Sequence, residues 1–322
     1  LWGRPLRSIL AVYNKKILTF SYGHLRASDC TIIDKDLDTK VIKVTTFKDY
    51  QKLLLNNNII LNHEEREQKI IKKFEIFFKV KNFKNHYDVK LLKEVTNIVE
   101  DPQVLLIDFD KKYLELPKEI IISTLQNHQR YFPIIDKKDE ITNFFLAVTN
   151  KKDTNNLIKY GNKRVVEARL ADAKFFWDKD KSKNLIKQIA KLKDLKFYEG
   201  LGSVYDKTQR LRKLSGMLAD EFNLNKEKAE IAASISKSDL CSDLVNEYPD
   251  LQGLLGKYFA LSQGFEEDVS NAVSDHYLPI RNNSFTSKKP ISYTVAIADK
   301  IDTLVGFFVI NEKPTSSKDP FA

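Results

Sequence analysis

The sequence predicts an α+β protein: a mixed α/β region first, then an all-helical region. Two observations carry this. Period-two apolar runs alternate with helical patterns over roughly the first 150 residues. From Asp206 onward every apolar pattern has helical spacing, and Gly200-Leu201-Gly202 breaks the chain just before it. The expected organisation is a domain over residues 1–150, a helical connector over 151–200 and a helical domain over 201–322.

In the first region, Arg4 to Tyr13 and Ile17 to Tyr22 read as strands joined by an Asn14-Lys15-Lys16 turn. Further strands are expected at Val41 to Thr46, Val104 to Phe109, Tyr131 to Ile135 and Phe144 to Val148. Between them fall helices over Phe47 to Leu55, His63 to Lys81, Asp88 to Val99 and Pro117 to Gln126. Ile70, Ile71, Phe74, Phe77 and Phe78 share the core side of the second, and Pro117 suits the first turn of the last. No Gly-rich phosphate loop and no GxSxG elbow is present. Gln126 to Phe132 is a polar cluster in which an aromatic beside Arg130 would stack a base or grip a phosphate. The competing reading is a capped helix end with two core aromatics. His24, His63 and His86 are lone histidines without ligand spacing.

Asn150 to Asn156 is a polar loop. A helix follows over Gly161 to Trp177, with Val165, Leu170, Ala173 and Trp177 facing inward. Asp180 to Phe197 reads as one basic amphipathic helix, either a solvated face or a strip along RNA phosphates or a membrane surface. In the helical region Asp206 is placed as an N-cap, Ser292 as the cap of the final helix, and Gly253 and Gly256 as a site of close helix approach. Arg281 to Pro290 reads as a flexible loop whose Lys288-Lys289 pair suits a phosphate contact.

The net charge of +9 points to a polyanionic partner, but only ten of the 53 basic residues are Arg. Heavy use of Lys, Ile and Asn throughout looks like AT-rich codon bias, which inflates charge without function. Arginines that persist against that bias, such as Arg130 and Arg281, are therefore candidates for RNA contact. No apolar run approaches the ~20 residues of a membrane span, so no membrane partner is expected. Cys30 and Cys241 stand in no metal or redox spacing, which suggests a reducing, cytoplasmic setting. The chain lacks an initiator Met and is expected to be an interior fragment of a longer polypeptide.

The densest chemistry lies between residues 237 and 302. His276 shares an apolar face with Val269, Ala272 and Val273, and Asp299 and Asp302 share a stripe with Val295 and Gly306. Ile297, Ile301, Leu304 and Phe308 form a second stripe on that last helix. A bundle with Lys, Asp and His turned inward is a metal-type active site or the remains of one. It resembles the HD superfamily of helical metal-dependent phosphohydrolases, with Ala298-Asp299-Lys300 similar to that family's final aspartate. Ser236-Lys237 stands where the His-Asp dyad belongs, and the preceding helix carries Arg210 and Arg212 in place of a histidine ligand. An ammonium at a ligand position repels a divalent cation, so Lys237, Asp239, His276 and Asp299 are expected to form a buried polar network in a degenerate HD-like domain. No metal site and no catalytic residue is expected. The alternative is an active phosphohydrolase in which Asp239, His276 and Asp299 hold the metal.

Lys-x-Asp-Leu at 237, Glu247-Tyr248-Pro249-Asp250-Leu251-Gln252-Gly253, Asp275-His276-Tyr277-Leu278-Pro279, Ala298-Asp299-Lys300-Ile301-Asp302-Thr303 and Lys318-Asp319-Pro320-Phe321-Ala322 follow in a specific order. Together with Trp2-Gly3-Arg4-Pro5, Gln129-Arg130-Tyr131-Phe132-Pro133, Gly161-Asn162-Lys163-Arg164 and Ala168-Arg169-Leu170-Ala171-Asp172, they resemble the β subunit of bacterial heterotetrameric glycyl-tRNA synthetase. Asn127-His128 and Ser316-Ser317-Lys318 depart mildly from that pattern. The resemblance implies support of ATP-dependent glycine attachment through tRNA recognition and assembly. ATP and Mg2+ are then handled by a separate α subunit, with no cofactor in this chain. Implied partners are that α subunit, a second β subunit in an α2β2 tetramer, and tRNA for glycine. The first domain is expected to resemble the editing-type domain of the phenylalanyl-tRNA synthetase β subunit, and an anticodon-binding part is expected beyond Ala322. A stand-alone RNA-binding protein is the third reading.

Overall fold

A computed structural model describes residues 6–35, 38–279 and 287–312. The chain is α+β, with its strands concentrated toward the N-terminus and its C-terminal region helical. It divides into two compact units: Leu1–Lys111 with Leu125–Val166, and Lys112–Thr124 with Glu167–Ala322. Among the described residues no helix is long and apolar enough to cross a membrane.

The first unit is built on three helices, α1 (Phe47–Asn56), α2 (His63–Lys81) and α3 (Val89–Ile98). The Asn62 side chain accepts the Glu64 N–H at the start of α2, and Asn82 ends it in the left-handed region at φ 57°. Asp88 accepts the N–H groups of Lys90 and Leu91 and so caps α3. Ile70, Phe74 and Phe78, four residues apart, are buried on one face of α2. They meet Leu91, Leu92 and Val95 of α3, and Phe132, Ile134 and Leu146 of an antiparallel sheet. In that sheet Ile141–Thr149 lies between Gln103–Asp108 and Phe132–Ile135. Ile71 and Phe77 pack at the edge of the same core. Phe74 meets Phe132 edge-to-face at 4.8 Å between centroids.

Near the N-terminus the long hairpin expected from the sequence is subdivided. Val12–Tyr13 and Lys16–Ile17 pair across Asn14 and Lys15, both at positive φ, so the turn has two central residues rather than three. Ile9–Leu10 instead runs parallel to Leu25–Ser28, which also pairs with Ser21–Tyr22. The strand expected at Val41 to Thr46 is Asp38–Lys43, paired with an unforeseen strand, Cys30–Lys35.

The second unit takes in α4 (Lys118–Ser123), the later part of α5 (Leu157–Lys181), α6 (Leu185–Gln188), α7 (Val204–Glu221), α8 (Lys226–Ile235), α9 (Asp243–Glu247), α10 (Leu254–Ser262), α11 (Glu267–Asp275) and α12 (Pro290–Val309). α7 packs on α8 and α12, and α11 packs on α8, α10 and α12. Pro117 is the N-cap of α4 rather than a first-turn residue. The buried side chains of α5 are Val166, Leu170, Ala173 and Trp177. Val165 is 44% exposed because five residues to Leu170 is out of phase with the helix, whereas four from Val166 is in phase.

The single basic helix expected over Asp180 to Phe197 is broken. Asn184 caps the one-turn α6, a 3-10 stretch covers Ile189–Asp194, and Lys196–Tyr198 pairs with Gly202–Ser203 as a small hairpin. Gly200 and Gly202, both at φ 81°, let the chain reverse there. The cap of α7 is Ser203, with Asp206 three residues on completing a reciprocal capping box. Ser292 does not cap α12; it is buried in its first turns and donates to Asp275 Oδ2 at 2.9 Å. The Tyr248-Pro249-Asp250 segment anchors the α4 stretch. Thr124 Oγ1 and Tyr248 OH lie 2.9 Å apart, and Ser123 donates to Asp250 Oδ2 at 2.9 Å.

Candidate functional site

On α12, Asp299 and Asp302 lie three residues apart and so face the same way, toward α7. There they meet Lys207 and Arg210, also three apart. Lys207 Nζ stands 3.1 Å from Asp299 Oδ1 and 3.3 Å from Asp302 Oδ2, and donates to Thr303 Oγ1 at 2.6 Å. Arg210 grips Asp302 with two donors, Nε to Oδ1 at 2.6 Å and Nη2 to Oδ2 at 3.2 Å. Lys237, in the turn after α8, places its ammonium 3.6 Å from Asp299 Oδ1 and 4.0 Å from the Tyr277 ring centroid. At 3.6 Å the Lys237 contact is an attraction of charges without an aligned hydrogen bond.

Asp239, two residues further, turns its Oδ2 toward the start of α10 and accepts the Gly253 N–H at 2.5 Å. The two glycines of that segment make room. A Cβ on Gly253, at φ 79°, would sit 2.7 Å from the Tyr277 ring, and one on Gly256 would sit 3.0 Å from the Asp239 carboxyl carbon and 2.8 Å from Val273. Close approach at these glycines is as the sequence suggests, and it serves the carboxylate as well as the helix. His276 is fully buried at the end of α11, with Nδ1 2.8 Å from the Val273 carbonyl. A carbonyl only accepts, so Nδ1 carries the proton and Nε2 presents a lone pair.

The electrostatics follow from burial working against pairing. Burial lowers Lys237 to about 8, although Asp299 pulls it back up. Burial would raise Asp299, but the ammonium groups of Lys237 and Lys207 outweigh it and hold this carboxyl well below the usual range. Asp239 is pushed up to about 6 by burial, opposed by the Gly253 N–H. His276 falls to about 3, first through burial and then through Lys237, so its imidazole is neutral. Three cations (Lys207, Lys237, Arg210) thus face three carboxylates (Asp239, Asp299, Asp302) around a neutral imidazole.

This arrangement does not suit a metal. A divalent cation on Asp299 would stand about 4–5 Å from two ammonium groups, each opposing it by roughly 7 kcal/mol at an effective dielectric constant of 20. Among the described residues no three His, Cys, Asp or Glu side chains form a metal-holding group. What the cluster can do is cross-tie α7, α10, α12 and the turn after α8, with Asp299 set against Lys207 and Lys237, Asp302 against Lys207 and Arg210, and Asp239 held by the Gly253 N–H.

The structure therefore brings together Lys237, Asp239, His276 and Asp299, and adds Lys207, Arg210, Asp302 and Tyr277. Of these, Lys207 carries the weakest signal in the sequence. Its signal is position: it lies four residues before Leu211, within the buried stripe Val204, Thr208, Leu211 and Ser215 of α7. A lysine on an apolar stripe stands out poorly in a chain so rich in lysine.

The RNA-contact candidates separate. Arg130 sits at φ 59° beyond the π-turn Thr124–His128, where its Nε donates to Glu94 at 2.6 Å and its Nη1 donates to the carbonyls of Gln126 and Asn127. Tyr131 stacks on Phe145 at 5.0 Å and Phe132 is buried, so neither ring is presented to a base. That matches a helix end with core aromatics. Lys288 and Lys289 are exposed just ahead of α12. Arg281 lies outside the described residues, as do the segments Trp2 to Pro5 and Ser316 to Ala322.

Comparison with known proteins gives a consistent result. A family model described as glycyl-tRNA synthetase beta subunit matches residues 1–322. The glycine–tRNA ligase beta subunit of Rickettsia akari is 37% identical over 324 residues, covering 100% of this chain and 48% of that protein. Its counterpart in Listeria welshimeri is 37% identical over 322 residues, covering 99% and 47%, and that of Rickettsia typhi is 38% identical over 323 residues, covering 100% and 48%. The chain spans about half the length of the curated relatives it matches.

Proposed function

The chain belongs to the glycyl-tRNA synthetase β-subunit family, and from that membership we propose that it supports the ATP-dependent attachment of glycine to tRNA. The observation carrying this reading is the family match across all 322 residues. In the proposal the chain works in the cytoplasm within an α2β2 assembly. A separate α subunit binds ATP, Mg2+ and glycine and carries out the chemistry, while this chain contributes tRNA recognition and assembly. The net charge of +9 supports a polyanionic partner. The exposed Lys288-Lys289 pair suits a phosphate contact better than Arg130, whose guanidinium is already engaged by Glu94.

The polar interior of the second unit supports a scaffolding role for Lys237, Asp239, His276 and Asp299. In this proposal the unit is a degenerate HD-like bundle in which paired side-chain charges replaced a metal. A phosphohydrolase reading would need a cation beside Asp299, where Lys207 and Lys237 oppose it.

The test is co-purification of the polypeptide carrying these residues with the α subunit, followed by glycine charging with and without it. The proposal expects a complex and charging that depends on both chains. Full charging by the α subunit alone, or tRNA binding indifferent to the α subunit, would refute it. The second outcome would favour a stand-alone RNA-binding protein.

A further inference from the structure

Beside the charged cluster lies a second, smaller feature that the scaffold role does not use. A cavity of about 10 Å3 is walled by Asp180, Gln188, Ser238, Asp239, Cys241 and Phe259, with Lys183, Leu185 and Ser242 completing it. That volume admits a single water molecule. Three of these residues carry buried oxygens with no hydrogen-bond partner among the described residues: Gln188 Oε1, Ser238 Oγ and Asp239 Oδ1. The residues are 8%, 1% and 1% exposed, so bulk solvent does not satisfy those atoms. A buried polar atom left unmatched costs about 1–3 kcal/mol, and three on residues that wall one small cavity call for a common partner.

We infer that this cavity holds one structural water, which donates to Gln188 Oε1 and Asp239 Oδ1 and accepts from Ser238 Oγ. The count closes: two acceptors take the two protons, and the hydroxyl donates to the oxygen. Three bonds is the usual number for a buried water. The surrounding polar groups are already engaged. Asp180 accepts from Lys183 at 2.6 Å and from the Leu244 N–H at 2.8 Å, and Ser242 donates to the Asp239 carbonyl at 2.7 Å. A cation fits worse. It wants about six oxygen ligands, and the Lys183 ammonium shares the wall. The water links α6 to the turn that follows Lys237. With Oδ1 held there and Oδ2 held by Gly253, the Asp239 carboxylate is fixed at both ends.

The experiment is a crystal structure of the protein at high resolution, with a parallel rubidium soak and a Gln188→Met variant. The inference expects one ordered peak within roughly 3.2 Å of all three oxygens, no anomalous rubidium signal there, and loss of the peak in Gln188→Met. An empty cavity in the wild type would overturn it. So would rubidium at the site, or a peak that persists unchanged in Gln188→Met.

Discussion

The two units solve the same problem with opposite chemistry. The first closes its interior with Ile70, Phe74, Phe78, Leu92, Phe132 and Leu146, a core with no charge in it among the described residues. The second buries Lys207, Lys237, Asp239, His276 and Asp299 beside aliphatic residues such as Leu255 and Val273. An apolar core tolerates hydrophobic exchange of similar volume, because no single atom is indispensable. A buried charge cluster does not: removing one member leaves another unmatched in a poorly polarisable interior. The contrast teaches that the second unit's interior depends on particular charged atoms, where the first depends on filled volume.

The largest expected effects lie at the two centres. Lys237→Ala empties a buried site and removes one of the two ammonium groups beside Asp299, and should destabilise the second unit by about 3–5 kcal/mol. Trp177, stacked on Phe259 at 5.5 Å, reports this by fluorescence during urea unfolding once the chain's other tryptophan is replaced by Trp2→Phe. An unchanged midpoint would remove the buried network from the account. Phe74→Ala should cost the first unit a comparable ~3–5 kcal/mol through its cavity, read by hydrogen exchange. Conservative exchange sharpens this. Phe74→Leu should be milder than Phe74→Ala, and Lys237→Met should be milder than Lys237→Ala, since Lys207 stays 3.1 Å from Asp299 and the lost charge was itself costly to bury; an equal loss in both Lys237 variants would show the ion pair outweighing burial.

Gly256→Ala comes next, at about 1–3 kcal/mol, since its Cβ would press on Val273 and on the Asp239 carboxyl. Wild-type thermal stability in that variant would show the α10 approach to be looser than described.

The pH response separates the units more finely. Folded Lys237 gives up its proton at about 8, while an unfolded lysine holds it to about 10.4. Between those values the unfolded chain binds more protons, so stability rises with pH, at up to about 1.4 kcal/mol per unit. The rise from pH 8 to 9.5 should appear at Trp177 and be absent in Lys237→Met; the same slope in both would assign it elsewhere. Arg130→Ala is the smallest case. Its ion pair with Glu94 is exposed on both sides, and its loss should cost no more than about 1 kcal/mol in a chemical denaturation curve.

Much of this was legible in the sequence, for identifiable reasons. α2 is readable from His63 to Lys81 because its aromatic stripe is long and strongly periodic. The Asp299–Asp302 face was readable from spacing alone. What failed was short-range or camouflaged. The break at Ser182 to Asn184 was hidden by lysines and leucines at helical spacing, though Asn184 is a capping residue. The sequence pattern points Val165 rather than Val166 inward, because adjacent valines leave the phase of a helix ambiguous. Lys207 is not legible because its partners lie more than 90 residues away on α12, where no local pattern reports them.

The central claim is that ammonium groups hold the place a metal would take around Asp299. Its most direct test is a thermal melt of the chelator-treated protein, followed by Trp177 fluorescence, with and without added Mn2+, Zn2+ or Mg2+. The account predicts superimposable curves. A saturable rise in the melting temperature that disappears in Asp299→Asn would contradict it.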